Sequence, residues 1–303
     1  MTDDHRFRAL ILGAAAGGGL PQWNCGCANC VAARTVGSGV EPQTQSSLAV
    51  SLDGRSWALL NASPDIRQQL GAAAQLHPRC LRDSPLESVL VTNGDIDHIA
   101  GLLVLREKQA FTLYATAGLH DIIAANPMFA ALDAAFVERR SIALDAPFEM
   151  LKGVETRLFA VPGKVPLFME SDDPDVALEG EQTVGVEMKA AGRRIYYIPG
   201  CGAVTESLAA RLRGADLVLF DGTVFRDDEM IASGTGTKTG RRMGHIAMDG
   251  PNGSLAGLKG LGIKRTIYVH INNTNPVWRQ SAERARVEAE GMEIGHDGME
   301  VTL

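Results

Sequence analysis

The stretch Leu90–Leu103, LVTNGDIDHIAGLL, decides the fold. The apolar run Ser88–Thr92 reads as a strand that stops at Asn93. Asp95, Asp97 and His98 follow at once, and then the small residues Ala100 and Gly101. In α/β architectures the carboxyl ends of strands gather at one edge, and ligands bind there. Two further apolar runs end in the same manner: Leu217–Phe220 at Asp221, and Thr266–Val269 at His270. A single polar residue at a strand end is usually a cap, but three strand ends agree here. Two imidazoles and two carboxylates, Asp97, His98, Asp221 and His270, suit a divalent transition metal.

Outward from these runs, strand signals recur. Arg8–Gly13 and Ser46–Asp53 read as strands, and Asp53-Gly54 is a hairpin signal leading into Ser56–Asn61. A helix is expected over Ile66–Ala74, a strand over Phe111–Thr116 and a helix over Gly118–Ala124. The second half repeats the layout. Thr183–Ala190 turns at Ala191-Gly192 into Arg194–Ile198, and a helix follows over Thr205–Arg213. The tail, Gly291–Leu303, reads as a closing hairpin. Hairpin, glycine-rich corner, helix and polar strand end thus appear twice, which predicts two similar βα halves facing each other. Pro162–Gln182, rich in Pro, Asp and Glu, reads as a loop or lid and not as a boundary between domains.

Composition narrows the function classes. The 303 residues carry a formal net charge of −7 and only 5% aromatics, which disfavours a phosphate-binding or base-stacking surface. No run reaches the roughly 18 apolar residues of a spanning helix. The acidic start MTDD does not resemble a secretory leader, so a cytoplasmic protein without membrane or nucleic-acid partners is expected. Five cysteines, three of them in CGCANC, fit a reducing compartment and a metal better than a disulfide framework. Cys25, Cys27 and Cys30 are spaced to hold one structural Zn²⁺ that pins the long loop after the first strand. Cys80 and Cys201 stand apart, the latter in PGCG, which could bring it near the site. The run GAAAGGG lacks a following helix, so it predicts close backbone approach at the floor of the site and not a dinucleotide loop.

Candidate substrate contacts come from four places. TKTGRRMGH groups Lys238, Arg241, Arg242 and His245 on the ligand side of Asp221, and Arg forks carboxylates bidentately. His245 reads as a general acid/base or as a residue that orients a ligand. Ser63 and Asp65 of NASPD sit at another strand end, and Trp23 could stack on a planar ring. Asp95 reads as a second-shell or substrate contact.

TNGDIDHIAGL resembles the metallo-β-lactamase superfamily signature His-x-His-x-Asp-His, with Asn93 and Asp95 in place of its two leading histidines. Asp97, His98, Asp221 and His270 match the signature's second-metal positions, its bridging aspartate and its last histidine. No histidine stands near Val161–Pro166, where the superfamily's middle one belongs. The resemblance implies an αββα sandwich over residues 1–303 as a single domain: two facing mixed sheets with helices outside. A two-metal hydrolytic site is thereby reduced to one mixed His/carboxylate site, a type similar to non-haem Fe(II) centres that activate O₂. Phosphodiesterase relatives place a fourth zinc ligand three residues beyond the last histidine. That position is Asn273 here, a poor zinc ligand, so the fourth ligand is Asn273, water or a distant group.

Within the superfamily, GAAAGGGLPQWNCGCANC, TQSSLAVS, NASPDIRQQL, KTGRRMGH and HINNTNP together resemble the pyrroloquinoline quinone (PQQ) biosynthesis B family from about Arg8 onward. That resemblance implies an iron- and O₂-dependent hydroxylase acting on the tyrosine ring of a Glu-Tyr-derived precursor. The alternatives are a PQQ carrier aiding export and a hydrolase of the phosphodiesterase type. The implied partners are tyrosine-derived or dipeptide substrates and PQQ or its precursors. A homodimer is compatible with this reading, and Fe, Mn and Zn all accept the ligand set.

Overall fold

A computed structural model describes residues 6–170 and 178–303. Its strands are β1 (Arg8–Gly13), β2 (Ser47–Ser51), β3 (Trp57–Leu60), β4 (Leu86–Leu90), β5 (Phe111–Ala115), β6 (Val137–Ser141), β7 (Phe148–Leu151), β8 (Val154–Ala160), β9 (Val184–Ala190), β10 (Arg193–Ile198), β11 (Leu217–Asp221), β12 (Thr266–Val269), β13 (Glu293–Ile294) and β14 (Glu300–Thr302). They form two seven-stranded sheets, ordered β14-β1-β2-β3-β4-β5-β6 and β13-β12-β11-β10-β9-β8-β7. Each sheet is mixed. Strands β1 to β3 pair antiparallel and β3 to β6 parallel. In the second sheet β7 to β10 pair antiparallel and β10 to β13 parallel. The duplicated layout expected from the sequence is therefore the layout of the sheets, and the architecture is the α/β metallo-β-lactamase type.

The period-2 sorting of side chains places the core. Along β1, Ala9 and Ile11 join the cluster shared with Val186, Ile198, Phe220 and Tyr268 of the second sheet. Leu10 and Leu12, pointing the other way, pack with Ile66, Leu76, Ile99, Leu102 and Ile123 from the helical segments that cover the first sheet. Strands β2, β3, β11 and β12 are buried at every residue, as strands covered on both faces must be. Each fully buried aliphatic side chain contributes about 1.5–3 kcal/mol. That leaves the residues just past the strand ends free to be polar.

Two expectations are corrected. The tail is not a hairpin: β13 runs parallel to β12 in one sheet, while β14 runs antiparallel to β1 in the other. The chain between them crosses from sheet to sheet, and turn chemistry alone cannot distinguish that from a hairpin. The helix expected over Ile66–Ala74 ends at Ala72, and a 3₁₀ turn follows at Ala74–Leu76. The turn at Ala191-Gly192 joins β9 to β10 with both residues left-handed, φ 50° and 72°, the geometry of a two-residue hairpin loop. Of the predicted loop Pro162–Gln182, residues 171–177 lie outside the described residues.

Candidate metal centre

The three polar strand ends converge. Asp97 and His98 lie on the short helix Ile96–Ile99 that follows β4, Asp221 is the last residue of β11, and His270 directly follows β12. The short helix can approach the sheet because Gly101 has no side chain: a Cβ there would lie 2.2 Å from the Ser63 carbonyl oxygen. The glycine-rich loop after β1 forms part of the floor, as expected. A Cβ on Gly17 would meet Asp97 Oδ2 at 3.3 Å, and Ala16 N donates to the Ile271 carbonyl at 2.9 Å. His270 takes a left-handed φ of 56°, a conformation that costs a non-glycine residue about 1–3 kcal/mol and persists only where its surroundings enforce it.

The ligand atoms of Asp97, His98 and His270 lie within 4.8 Å of one another, as do those of Asp221, His245 and His270. His270 thus belongs to both triads. His98 is buried, and its Nδ1 bonds Asn93 Oδ1 at 2.6 Å. Because the Asn oxygen only accepts, Nδ1 carries the hydrogen and Nε2 presents a lone pair. That Nε2 is buried and has no hydrogen-bond partner. A buried acceptor left without a partner is costly, and a cation would satisfy it.

The remaining imidazoles are fixed as closely. His270 Nε2 bonds Asp97 Oδ2 at 3.1 Å, and its Nδ1 meets Thr223 Oγ1 at 2.8 Å. His245 Nδ1 bonds Asp221 Oδ2 at 2.7 Å, and its ring stacks on that of His270 with centroids 5.0 Å apart. Wholly buried Asp221 also accepts from Thr223 Oγ1 at 2.6 Å and from the backbone N–H groups of Thr223 and Cys201, both at 2.9 Å.

Electrostatics follow from this packing. Burial brings His98 down to about 4, which keeps it neutral at pH 7. Burial works against the charged forms of Asp97 and Asp221. The histidines beside them outweigh it and hold both carboxyls below the usual range. Burial likewise opposes charge on His270, but its bond to Asp97 and the neighbouring carboxylates raise it. Two ionised carboxylates, one neutral imidazole and two imidazoles hydrogen-bonded to carboxylates make a donor set that fits a divalent cation.

The cysteine loop forms a second cluster. The sulfurs of Cys25, Cys27 and Cys30 lie within 4.8 Å of one another. The Asn273 side-chain amide is on the same spot, its Nδ2 3.2 Å from Cys30 Sγ and 3.7 Å from Cys27 Sγ. Burial raises the Cys27 thiol to about 11, a proton a soft cation would have to displace. The cluster is linked to the centre through the chain. Asn29 Nδ2 donates to the carbonyls of Asn273 and Asn275, both at 2.8 Å, and Asn275 Nδ2 donates to the Gly222 carbonyl at 2.9 Å.

Residues 56–271 match the family described as Beta-lactamase superfamily domain. The chain is 65% identical over 303 residues, the whole of both sequences, to Coenzyme PQQ synthesis protein B of Rhizobium meliloti (strain 1021). The chain belongs to the coenzyme PQQ synthesis protein B family. A solved structure of zinc-bound PqqB from Methylobacterium extorquens is 55% identical and superposes with a TM-score of 0.96, covering 98% of this chain and 100% of that one. A diphosphatase of the PhnP family, 20% identical with a TM-score of 0.71 over 98% and 97% of the two chains, shares the fold.

Within this family member, several residues expected to touch substrate do other work. Ser63 is fully buried, and its hydroxyl donates to Gln69 Oε1 at 3.1 Å. Asp65 Oδ2 accepts from Gln45 N at 2.9 Å and Gln45 Nε2 at 3.0 Å, bracing the loop that precedes β2. Trp23 is 88% exposed. Arg241 is exposed, and its backbone N–H donates to Asp227 Oδ1 at 2.7 Å. Lys238 and Arg242 reach a carboxylate, but it is the chain's own Glu170, at 3.2 and 2.9 Å. Asp95 Oδ1 accepts from Leu167 N at 3.1 Å, tying the loop after β8 to the centre. His245 sits within ligand reach of Asp221 and His270 and so widens the donor set. Cys201 does lie at the site, through its backbone, while burial pushes its thiol far up and leaves it unreactive. Cys80 is exposed and isolated. Sequence reasoning missed Thr223 and read Asn93 only as the replacement of a superfamily histidine. Among the described residues no helix is long and apolar enough to cross a membrane.

Proposed function

We propose that this member of the PQQ synthesis protein B family is an iron- and O₂-dependent hydroxylase of the tyrosine ring of a Glu-Tyr-derived precursor. Its centre is mononuclear, held by Asp97, His98, Asp221 and His270, and a separate structural Zn²⁺ is held by Cys25, Cys27 and Cys30 with Asn273 beside them. The observation that carries this reading is the buried, partnerless Nε2 of His98 beside Asp97 and His270. A bound Fe(II) supplies the O₂ activation that no side chain performs alone. A single cation is favoured because Asn93, at the place of the superfamily's first histidine, directs its oxygen inward to His98 Nδ1 and Asp95 N.

The chain's own residues do the rest. Asn93 holds the His98 tautomer, and Thr223 positions Asp221 and His270 together. The bond of His245 Nδ1 to Asp221 Oδ2 supports a role for this imidazole in moving a proton at the reacting ring. Putting one oxygen atom of O₂ into the ring and the other into water requires two electrons, so an external reductant is part of the reaction. The test is an oxygen pulse to anaerobically iron-loaded protein with ascorbate and Glu-Tyr. Oxygen uptake matched by a one-oxygen mass gain on the peptide, lost in His98→Ala, is expected. Turnover without oxygen would instead indicate a hydrolase, and tight PQQ binding with no turnover a carrier.

A further inference from the structure

Beside the metal centre, three cations converge on one carboxylate. Lys164 Nζ lies 2.7 Å from Glu170 Oε1, and Lys238 Nζ and Arg242 Nη1 lie 3.2 and 2.9 Å from Oε2. The Glu170 side chain is only 6% exposed and that of Lys164 10%. Burial disfavours the anion, but the three cations outweigh it and hold the carboxyl down at about 2.

The nest abuts the centre directly. A Cβ on Gly244, the residue before His245, would lie 3.1 Å from Lys164 Cγ. One on Gly94, the residue before Asp95, would lie 2.8 Å from Pro166 Cγ. Yet the segment that delivers Glu170 is poorly packed. Leu167, Phe168 and Met169 are 58%, 48% and 51% exposed, three large apolar side chains in a row facing water. Polar contacts hold this segment: Leu167 N on Asp95 and Glu170 on its cations. Withdrawing the Glu170 carboxylate therefore sacrifices no core packing, whereas Lys238 and Arg242 are set from a different loop, and Lys164, earlier in the same loop, is anchored where its carbonyl accepts from Thr183 Oγ1 at 3.1 Å.

We propose that Lys164, Lys238 and Arg242 form a subsite for a ligand carboxylate, and that Glu170 is a placeholder that such a ligand displaces. The proposal rests on the placement of the centre described above and not on its oxidation chemistry. A ligand that must displace an internal group binds with an affinity reduced by the fraction of time the site is free.

Benzene-1,3,5-tricarboxylate is the probe, titrated calorimetrically into the metal-loaded full chain. Glu170→Gln is expected to tighten binding about tenfold, the gain for a nest occupied roughly nine-tenths of the time. Glu170→Asp, which keeps the charge on a shorter arm, is expected to tighten it to a lesser degree. Adding Lys164→Met to Glu170→Gln is expected to abolish the gain, and the trimethyl ester of the probe to bind no variant. Unchanged or weaker binding in Glu170→Gln would overturn the proposal and leave Glu170 a structural clasp. Tightening in Glu170→Gln with none in Glu170→Asp would overturn it in favour of a general field effect. A gain that survives Lys164→Met would place the probe on the metal instead, and no binding by any variant would also end it. Because the readout needs neither oxygen nor turnover, failure of the hydroxylase reading would leave this result standing.

Discussion

Asn93→Ala probes how the chain prepares His98. Asn93 Oδ1 accepts both His98 Nδ1–H at 2.6 Å and Asp95 N–H at 3.0 Å, and the residue is 7% exposed. Alanine leaves both donors without that partner in a site closed to bulk water. Each orphaned donor costs about 1–3 kcal/mol, so the fold is expected to lose roughly 2–6 kcal/mol. The larger functional effect is on metal. With Nδ1 unrestrained, the ring can rotate and either nitrogen can carry the proton. Losing such an orienting partner costs about 10–100-fold in metal affinity, or about 1.4–2.8 kcal/mol. Competition with a calibrated chelator measures the affinity, and thermal melts in chelator separate it from stability. Asn93→Asp, which keeps the acceptor, is expected to retain most of the affinity. Equal affinity in the alanine variant and the parent would refute the reasoning, because His98 Nε2 would then be presented without Asn93.

Two further predictions follow from single contacts. Thr223→Val keeps the shape but removes the hydroxyl that reaches Asp221 Oδ1 and His270 Nδ1. Chelator competition is expected to show metal affinity reduced by roughly tenfold, with Thr223→Ser close to the parent. Glu229 is buried, and burial raises its carboxyl from 4.5 to about 7 despite bonds from Thr274 Oγ1 and Phe225 N. Its contribution to stability is therefore fully present below pH 4.5 and is lost as pH rises through 7, about 3 kcal/mol in all. Urea denaturation at pH 5 and pH 8 is expected to show that loss in the parent and a flatter profile in Glu229→Gln.

What the sequence made legible was local. Strands β4, β11 and β12 are short buried runs with a polar terminus, and both features lie within a few consecutive residues, so Asp97, His98, Asp221 and His270 could be picked out as polar strand ends, whereas their division into two triads sharing His270 could not. The edge strand β6, VERRS, is exposed at four of five residues and carries no apolar period to detect. The tail misled because β13 and β14 flank a turn-like segment while belonging to different sheets. Ser63 and Asp65 look like the other strand-end polar residues, and only the fold reveals that their partners are Gln69 and Gln45. Asn93 read as a lost ligand, since its service to His98 depends on a turn that brings side chains five residues apart within 2.6 Å. Lys238 and Arg242 were legible as a basic group, but their partner Glu170 is 68 and 72 residues away.

The central claim is that one cation occupies the His/carboxylate pocket. A crystal of anaerobically iron-loaded protein, measured on both sides of the iron absorption edge, tests it most directly. The account predicts one iron peak bonded to Asp97, His98, Asp221 and His270, with zinc alone at the three cysteines. Two metal peaks among those four residues, about 3.5–4 Å apart as in hydrolytic two-metal sites, would contradict it.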